Sequence, residues 1–235
     1  MSAGVRLVRT GRRRPSTHVY KIIMAVTGVI LALFVIVHMV GNLKAYFGAE
    51  SLNHYALWLR HAFEPLLPYE GLLWILRVVL LACVLAHLIC GAILWRRART
   101  ARGSFRAPLD WRSFTARSMP VTGLVLLAFV VFHILDLTTG TAGAAGFQAG
   151  TETSSHAYEN LIGSFQRPAA SIVYVVAMLA LAAHVAHGVW MAAHDLGVTG
   201  RRTRAAIKVG AGIAAIALLV GNASIPVAVL LGVLS

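Results

Sequence analysis

The stretch MAVTGVILALFVIVHMV (Met24–Val40) places a histidine deep inside an apolar run, and MPVTGLVLLAFVVFHIL (Met119–Leu135) repeats it almost letter for letter. In both copies the histidine, His38 or His133, comes 14 residues after the methionine. At ~1.5 Å of helical rise per residue, the histidine lies roughly 21 Å further along the axis. Apolar runs of this length are typical of membrane-spanning helices. The repeat therefore predicts two spans that carry an imidazole at the same depth.

The composition of the whole chain agrees with a membrane protein. Of its 235 residues, 58% are hydrophobic and only 12% are charged, which excludes an ordinary soluble domain. Backbone polar groups inside lipid must bond to one another, so the long apolar segments are predicted to be helices. We expect a single all-α transmembrane domain over residues 1–235 with spans at about 19–42, 71–95, 118–139, 169–193 and 205–233.

The formal charge of +13 is distributed in a way that favours a membrane over nucleic acid. Seventeen of the lysines and arginines lie before or at the start of span one, between spans two and three, and between spans four and five. The alternate connections hold three, Lys44, Arg60 and Arg167, together with six acidic residues. This positive-inside pattern predicts a cytoplasmic N-terminus and an outer C-terminus. The basic side also offers a surface to a soluble partner.

Spans two and four carry a second, weaker similarity. HLICG (His87–Gly91) resembles HVAHG (His184–Gly188), each with a glycine four residues after the histidine. By helical rise, both histidines lie ~20–24 Å from the outer surface, in the inner half of the membrane. The repeat aligns His184 with His87, so His184 is our first candidate for the matching histidine on span four. His187, three residues further on, is the second candidate.

Four histidines at two matched depths favour two metal sites. A single buried polar residue is usually explained by an interhelical hydrogen bond, but ionisable residues in the hydrocarbon tend to mark functional sites. Neutral imidazole suits iron. Two histidines on opposite faces of a haem leave no open position, which suits electron transfer. We expect four helices bundled around two stacked haem b groups.

Taken together, the motifs resemble a known family. The layout is similar to the single-chain, five-helix, dihaem cytochrome b anchor of bacterial succinate dehydrogenase and menaquinol:fumarate reductase, respiratory complex II. The resemblance covers essentially the whole chain. Its carriers are TGxxLxxFxxxHMxGN (Thr27–Asn42), LRHAFEPLLPYEG (Leu59–Gly71), AHLxxG around His87, TGxxLLxFxxxH ending at His133, and HxxHGxW (His184–Trp190).

The resemblance implies a set of cofactors and ligands. The axial ligands of an outer haem would be His38 and His133, and those of an inner haem His87 and His184. Glu64, in the AFEP phrase, occupies a place similar to that of the family's quinone-site glutamate. Electrons would pass through the haems to menaquinone. One departure is the ALAAH segment (Ala180–His184), which lacks the acid that some fumarate reductases use for proton transfer.

The resemblance also implies partners and a location. A flavoprotein subunit with covalent FAD and an iron–sulfur subunit with three clusters would dock on the basic cytoplasmic face, in a bacterial cell membrane. The complex itself would be able to form a higher oligomer. The chain alone would have no succinate-oxidising activity.

Two charged residues near the outer ends of spans invite explanations. Arg77 lies ~9 Å inside span two by helical rise, where it either snorkels to the outer interface or neutralises a propionate of the outer haem. Asp136, one turn beyond His133, pairs with Arg77 or takes part in quinone protonation. Residues 140–168, rich in small and polar side chains, are expected to form a mobile outer loop.

Three other functions stay open. In the first, a complex II anchor has a Rieske-like cluster in place of one haem, because Cys83, His87 and Cys90 share a helix face; the cysteines are nevertheless ~10 Å apart along the helix, too far to bind one iron. In the second, the chain is the cytochrome b of another dehydrogenase. In the third, it is a proton-coupled transporter whose histidines relay protons.

Overall fold

In a computed structural model, residues 15–104 and 111–235 are described, and the side chains of residues 111–116 lie outside that description. All regular structure in the described part is helical. The helices are α1 (Thr17–Asn42), α2 (Ala49–His61), α3 (Gly71–Arg102), α4 (Trp111–His133), α5 (Ala157–Phe165), α6 (Pro168–Asp195) and α7 (Arg201–Leu230). A 3-10 turn (Leu43–Phe47) follows α1, and a π-helical turn (Ile134–Thr138) follows α4.

The five predicted spans are confirmed as helices long and apolar enough to cross a membrane, α1, α3, α4, α6 and α7. Their ends follow local signals. The Ser16 hydroxyl accepts a hydrogen bond from the Val19 N–H and so caps α1. Gly103, with φ +53°, ends α3, and Pro168 begins α6 at a position where its missing N–H costs nothing.

The sequence did not predict α2 or α5. Both are short and lie in the two connections at the end of the bundle that the charge pattern assigns to the outside, which we call the outer end. Residues 140–168 are therefore not merely a loop, because α5 within them packs on α2, α6 and α7. The buried core cluster gathers at this end, from Ala45, Leu52, Tyr158, Leu161, Ile162, Phe165, Tyr174, Ile225, Ala228, Val229 and Leu234.

The spans pack in an order that controls where the histidines meet. Helix α3 packs against α1, α1 against α6, and α6 against α4 and α7. Among the described residues, α3 and α4 are not packed side by side. The four histidine-bearing helices thus form the sequence α3–α1–α6–α4 around a shared interior, while α7 covers α6 through small buried residues such as Ala211 and Ala215.

Part of the basic pattern behind the predicted orientation cannot be placed. Arg6, Arg9, Arg12, Arg13, Arg14 and Arg106 lie outside the described residues. The orientation of the termini stays a prediction.

Candidate functional site

The four intramembrane histidines meet in two facing pairs. In the outer pair, the ring centres of His38 on α1 and His133 on α4 are 5.8 Å apart. In the inner pair, those of His87 on α3 and His184 on α6 are 6.3 Å apart. Each pair joins two helices that are not neighbours in the α3–α1–α6–α4 order, so both pairs cross the interior of the bundle.

The inner histidine His87 is held by helix α1. Its Nδ1 lies 3.1 Å from the Met24 carbonyl oxygen and 3.3 Å from Thr27 Oγ1. A carbonyl only accepts, and the Thr27 hydroxyl itself donates to the Ile23 carbonyl at 2.7 Å. The proton of the neutral ring must therefore be on Nδ1, which leaves Nε2 with a free lone pair.

His184 is held in the same way by helix α4. Its Nδ1 lies 3.0 Å from Thr122 Oγ1, and Thr122 donates to the carbonyls of Ser118 and Met119, each at 3.1 Å. The hydroxyl oxygen thus accepts the Nδ1 proton and again leaves Nε2 free. Metal-ligating histidines commonly donate their second ring N–H to such a partner.

The glycine beside each threonine makes room for the ring. A Cβ on Gly28 would lie 3.1 Å from His87 Cε1, and one on Gly123 would lie 3.6 Å from His184 Cε1. The repeated Thr-Gly pair therefore positions the inner histidines: the threonine bonds to the ring and the glycine leaves space for it. The repeat of the pair in the two copies was the signal in the sequence for this role.

The outer pair has different surroundings. His133 Nδ1 lies 3.1 Å from the Tyr174 hydroxyl, whose proton goes to Asp136 Oδ2 at 3.0 Å. The ring of Phe129 stacks on His133, with centres 5.7 Å apart. His38 stacks on Phe34 at 5.4 Å and forms no hydrogen bond within the described residues.

Asp136 pairs with Arg167, not with Arg77 as one expectation had it. Its carboxylate is fully buried and also accepts a 2.5 Å hydrogen bond from the Ser164 hydroxyl. Arg167 lies just before α6, and the turn containing Ala142 brings a carbonyl to the same guanidinium at 2.9 Å. This partner comes from a distant connection, which the span pattern did not reveal.

Arg77 points back to the outer end of α3. Its guanidinium donates to Glu70 Oε2 at 3.1 Å and lies over the Trp74 ring, 4.8 Å from the centre. Arg60 forms a second ion pair with Glu70. Of the two explanations considered for Arg77, this geometry matches snorkelling to the interface.

Glu64 lies in the connection between α2 and α3, with 39% of its side chain exposed. His61 Nδ1 is 3.0 Å from its carboxylate, and His61 Nε2 is 2.8 Å from the Glu152 carbonyl oxygen. Both partners only accept, so the ring needs two protons to satisfy them. The hydrogen bond that His61 donates to Glu64, followed by the one that it donates to the Glu152 carbonyl oxygen, raises the pKa of His61 above its ordinary value of 6.5.

The remaining candidate ligands do not join a pair. His187 lies one turn from His184, is half-buried, and forms no hydrogen bond within the described residues. Cys83 and Cys90 are buried free thiols. Among the described residues, no three side chains of His, Cys, Asp or Glu converge as a metal-binding group.

The two pairs fit axial ligation of a planar metal cofactor. Two metal–nitrogen bonds of about 2 Å place two ligating nitrogens about 4 Å apart, and each ring centre lies further back behind its nitrogen. The observed ring-centre distances of 5.8 and 6.3 Å leave room for a metal between the rings. Three of the four rings also have Nδ1 occupied by an acceptor, so the donor set is that of neutral imidazole ligands.

Comparisons of the chain with protein-family models, with curated proteins and with solved structures find no match.

Proposed function

We propose that this chain is the dihaem cytochrome b membrane anchor of a bacterial succinate dehydrogenase or menaquinol:fumarate reductase. The observation that carries the proposal is the pair of facing histidine couples, at two depths, with ring-centre distances suited to a metal bound between them. When bound, each haem would supply reversible one-electron transfer between the two sides of the bundle.

The chain's own part is to bind and orient. His38 and His133 would hold the outer haem, and His87 and His184 would hold the inner one. With two histidine nitrogens at each site, the bound haem would supply electron transfer and not oxygen chemistry. The interior of the bundle also keeps bulk water away and sets the local dielectric.

The partners follow from the charge distribution. A basic surface at the end opposite α2 and α5 favours docking of an acidic or polar soluble partner. In the family that the sequence resembles, these partners are the flavoprotein with FAD and the iron–sulfur subunit. Electrons from succinate would enter at the inner site and leave at the outer site, within reach of menaquinone.

The quinone would bind and take up protons at the outer end. Glu64 and His61 form a proton-carrying pair 3.0 Å apart in an exposed segment. Phe63 and Leu66, 66% and 86% exposed, offer apolar contact beside them. A carboxylate and an imidazole in hydrogen-bond contact are suited to delivering protons to a quinone as it is reduced.

The first experiment is a haem count on the full chain purified with its native partners. A pyridine haemochrome assay and a reduced-minus-oxidised spectrum should give near two b haems per chain, reducible by succinate. One haem with additional iron would favour the Rieske-like variant. No haem at all would refute the proposal and turn attention to proton-coupled transport. Two haems that succinate fails to reduce would point to another dehydrogenase.

A further inference from the structure

A buried chain of polar groups leads from His133 to Arg167. Asp136 has no exposed surface and Tyr174 is 6% exposed. Tyr174 connects the two sides, with its hydroxyl 3.1 Å from His133 Nδ1 and 3.0 Å from Asp136 Oδ2. Arg167 and the Ser164 hydroxyl complete the shell of the carboxylate. Nothing in the predicted electron path requires these groups.

The direction of every hydrogen bond in this chain is determined. A guanidinium only donates, so Arg167 donates to Asp136. The carboxylate only accepts, so Tyr174 gives it the single phenolic proton. The Tyr174 oxygen then accepts from His133, whose Nδ1 must carry the ring proton. His133 Nε2 therefore keeps a free lone pair, and the Asp136 carboxylate polarises the ring through Tyr174.

Three separate elements build this arrangement. Asp136 is on the π-helical turn that follows His133, and such turns are frequent at functional sites. Ser164 comes from α5 and Tyr174 from α6. Because the carboxylate is buried, its charge acts through a low dielectric and is screened little by salt.

The inner pair has no equivalent. His87 and His184 donate to threonine hydroxyls, and His87 also to a backbone carbonyl, all of them neutral acceptors. The two sites therefore offer the same ligand type in two different electrostatic settings.

We propose that Asp136, acting through Tyr174, is a positioning group that fixes the tautomer of His133 and increases its donor strength. This rests on the proposed function, because the ligated metal is the haem iron proposed above. A more strongly donating imidazole stabilises the oxidised metal, so the outer site gains a lower midpoint potential than its ligands alone would give.

The test is Tyr174→Phe in the full-length chain within its complex, followed by redox titration of both haems. The outer midpoint potential should shift in the positive direction while the inner one stays unchanged. The outer haem is assigned by its loss in His133→Ala. The matched control is Tyr158→Phe, since Tyr158 is a buried tyrosine of the same core cluster whose hydroxyl donates to the Ser235 carbonyl instead. It should move neither potential.

A second variant, Asp136→Asn, keeps the side-chain volume and removes the charge. It should shift the same potential in the same direction. Equal shifts of both haems in Tyr174→Phe, or the same result from Tyr158→Phe, would overturn the positioning role and indicate a general packing effect.

A measurement without haem separates this inference from the proposed function. Nitrogen-15 NMR of histidine side chains in the full chain should show His133 protonated and hydrogen-bonded at Nδ1, with that signature lost in Tyr174→Phe. A wild-type complex without haem refutes the proposed function but leaves this nitrogen signature to decide the role of Tyr174. An unchanged signature in Tyr174→Phe overturns the inference even when two haems are present.

Discussion

Adding one methyl group at Gly28 should damage the inner site, whereas the same change at Gly123 should not. The two glycines occupy equivalent places in the repeat, but they differ in how closely a ring approaches. A Cβ at Gly28 would lie 3.1 Å from His87 Cε1 and 3.5 Å from its Nδ1, whereas a Cβ at Gly123 would lie 3.6 Å from His184 Cε1. The first contact is tighter than an ordinary van der Waals contact, and the second is ordinary.

The size of the effect on the inner haem depends on how far the His87 ring is able to move. To relieve the contact the ring must retreat by a few tenths of an ångström. Its Nδ1 bonds to Met24 and Thr27 are already 3.1 and 3.3 Å, and weaken further as they lengthen. Overpacking typically costs about 1–3 kcal/mol, and alanine in a helix returns about 1 kcal/mol. The remaining ~0–2 kcal/mol corresponds to a loss of affinity for the inner haem of up to roughly 30-fold.

The assay compares haem loss from Gly28→Ala and Gly123→Ala in the purified complex, with an excess of an apoprotein acceptor for haem. Gly28→Ala should release one of its two haems faster than the wild type, and Gly123→Ala should behave like the wild type. Equal release from the two variants, or faster release from Gly123→Ala, would refute the idea that the Thr-Gly pair positions the inner ligands.

Three further predictions use the same haem count or a titration. His133→Ala should leave one haem per chain, the inner one, and loss of both haems from a folded protein would contradict the pairing. His184→Ala should remove the inner haem while His187→Ala retains both, since His187 faces no partner ring in the described part of the chain; the reverse result would exchange their roles. The pKa of His61 is raised, so the stability from its protonated form is fully present below pH 6.5 and is lost as the pH rises through the raised value. Glu64→Gln should lower the NMR titration midpoint of His61, and an unchanged midpoint would show that the carboxylate contact does not form.

The spans and the depth of the histidines were predictable because both depend on spacing along a single helix. An apolar run of about 20 residues fixes a crossing, and a constant rise per residue converts sequence number into depth. Two histidines at one depth on separate spans are then able to meet, as His38 and His133 do.

The partners of the buried polar groups were not predictable from such spacing. Asp136 and Arg167 are 31 residues apart and meet because the chain between them folds back through α5. Thr27 and His87 meet across 60 residues, through the side-by-side packing of α1 and α3. Neither α2 nor α5 is long enough to give a membrane-span signal. The packed core at the outer end was therefore not predictable from the sequence.

The structure gives a physical reason for the sequence repeat that carries His38 and His133. Helices α1 and α3 pack together, as do α4 and α6, so each copy of the repeat is one helical hairpin. In the first hairpin Thr27 holds His87, and in the second Thr122 holds His184. His133 is likewise held within the second hairpin by Tyr174.

These contacts bear on whether the histidines serve only to pack helices. A packing role requires a hydrogen bond for each ring inside the membrane, and Nδ1 already provides it inside the hairpin for three of the four rings. That requirement does not explain why rings from different hairpins face each other. In the described part of the chain no protein group bonds to Nε2 of His87, His133 or His184. The facing of rings from different hairpins and the unbonded Nε2 atoms are the two features that the proposed ligand site uses and that a packing role does not require.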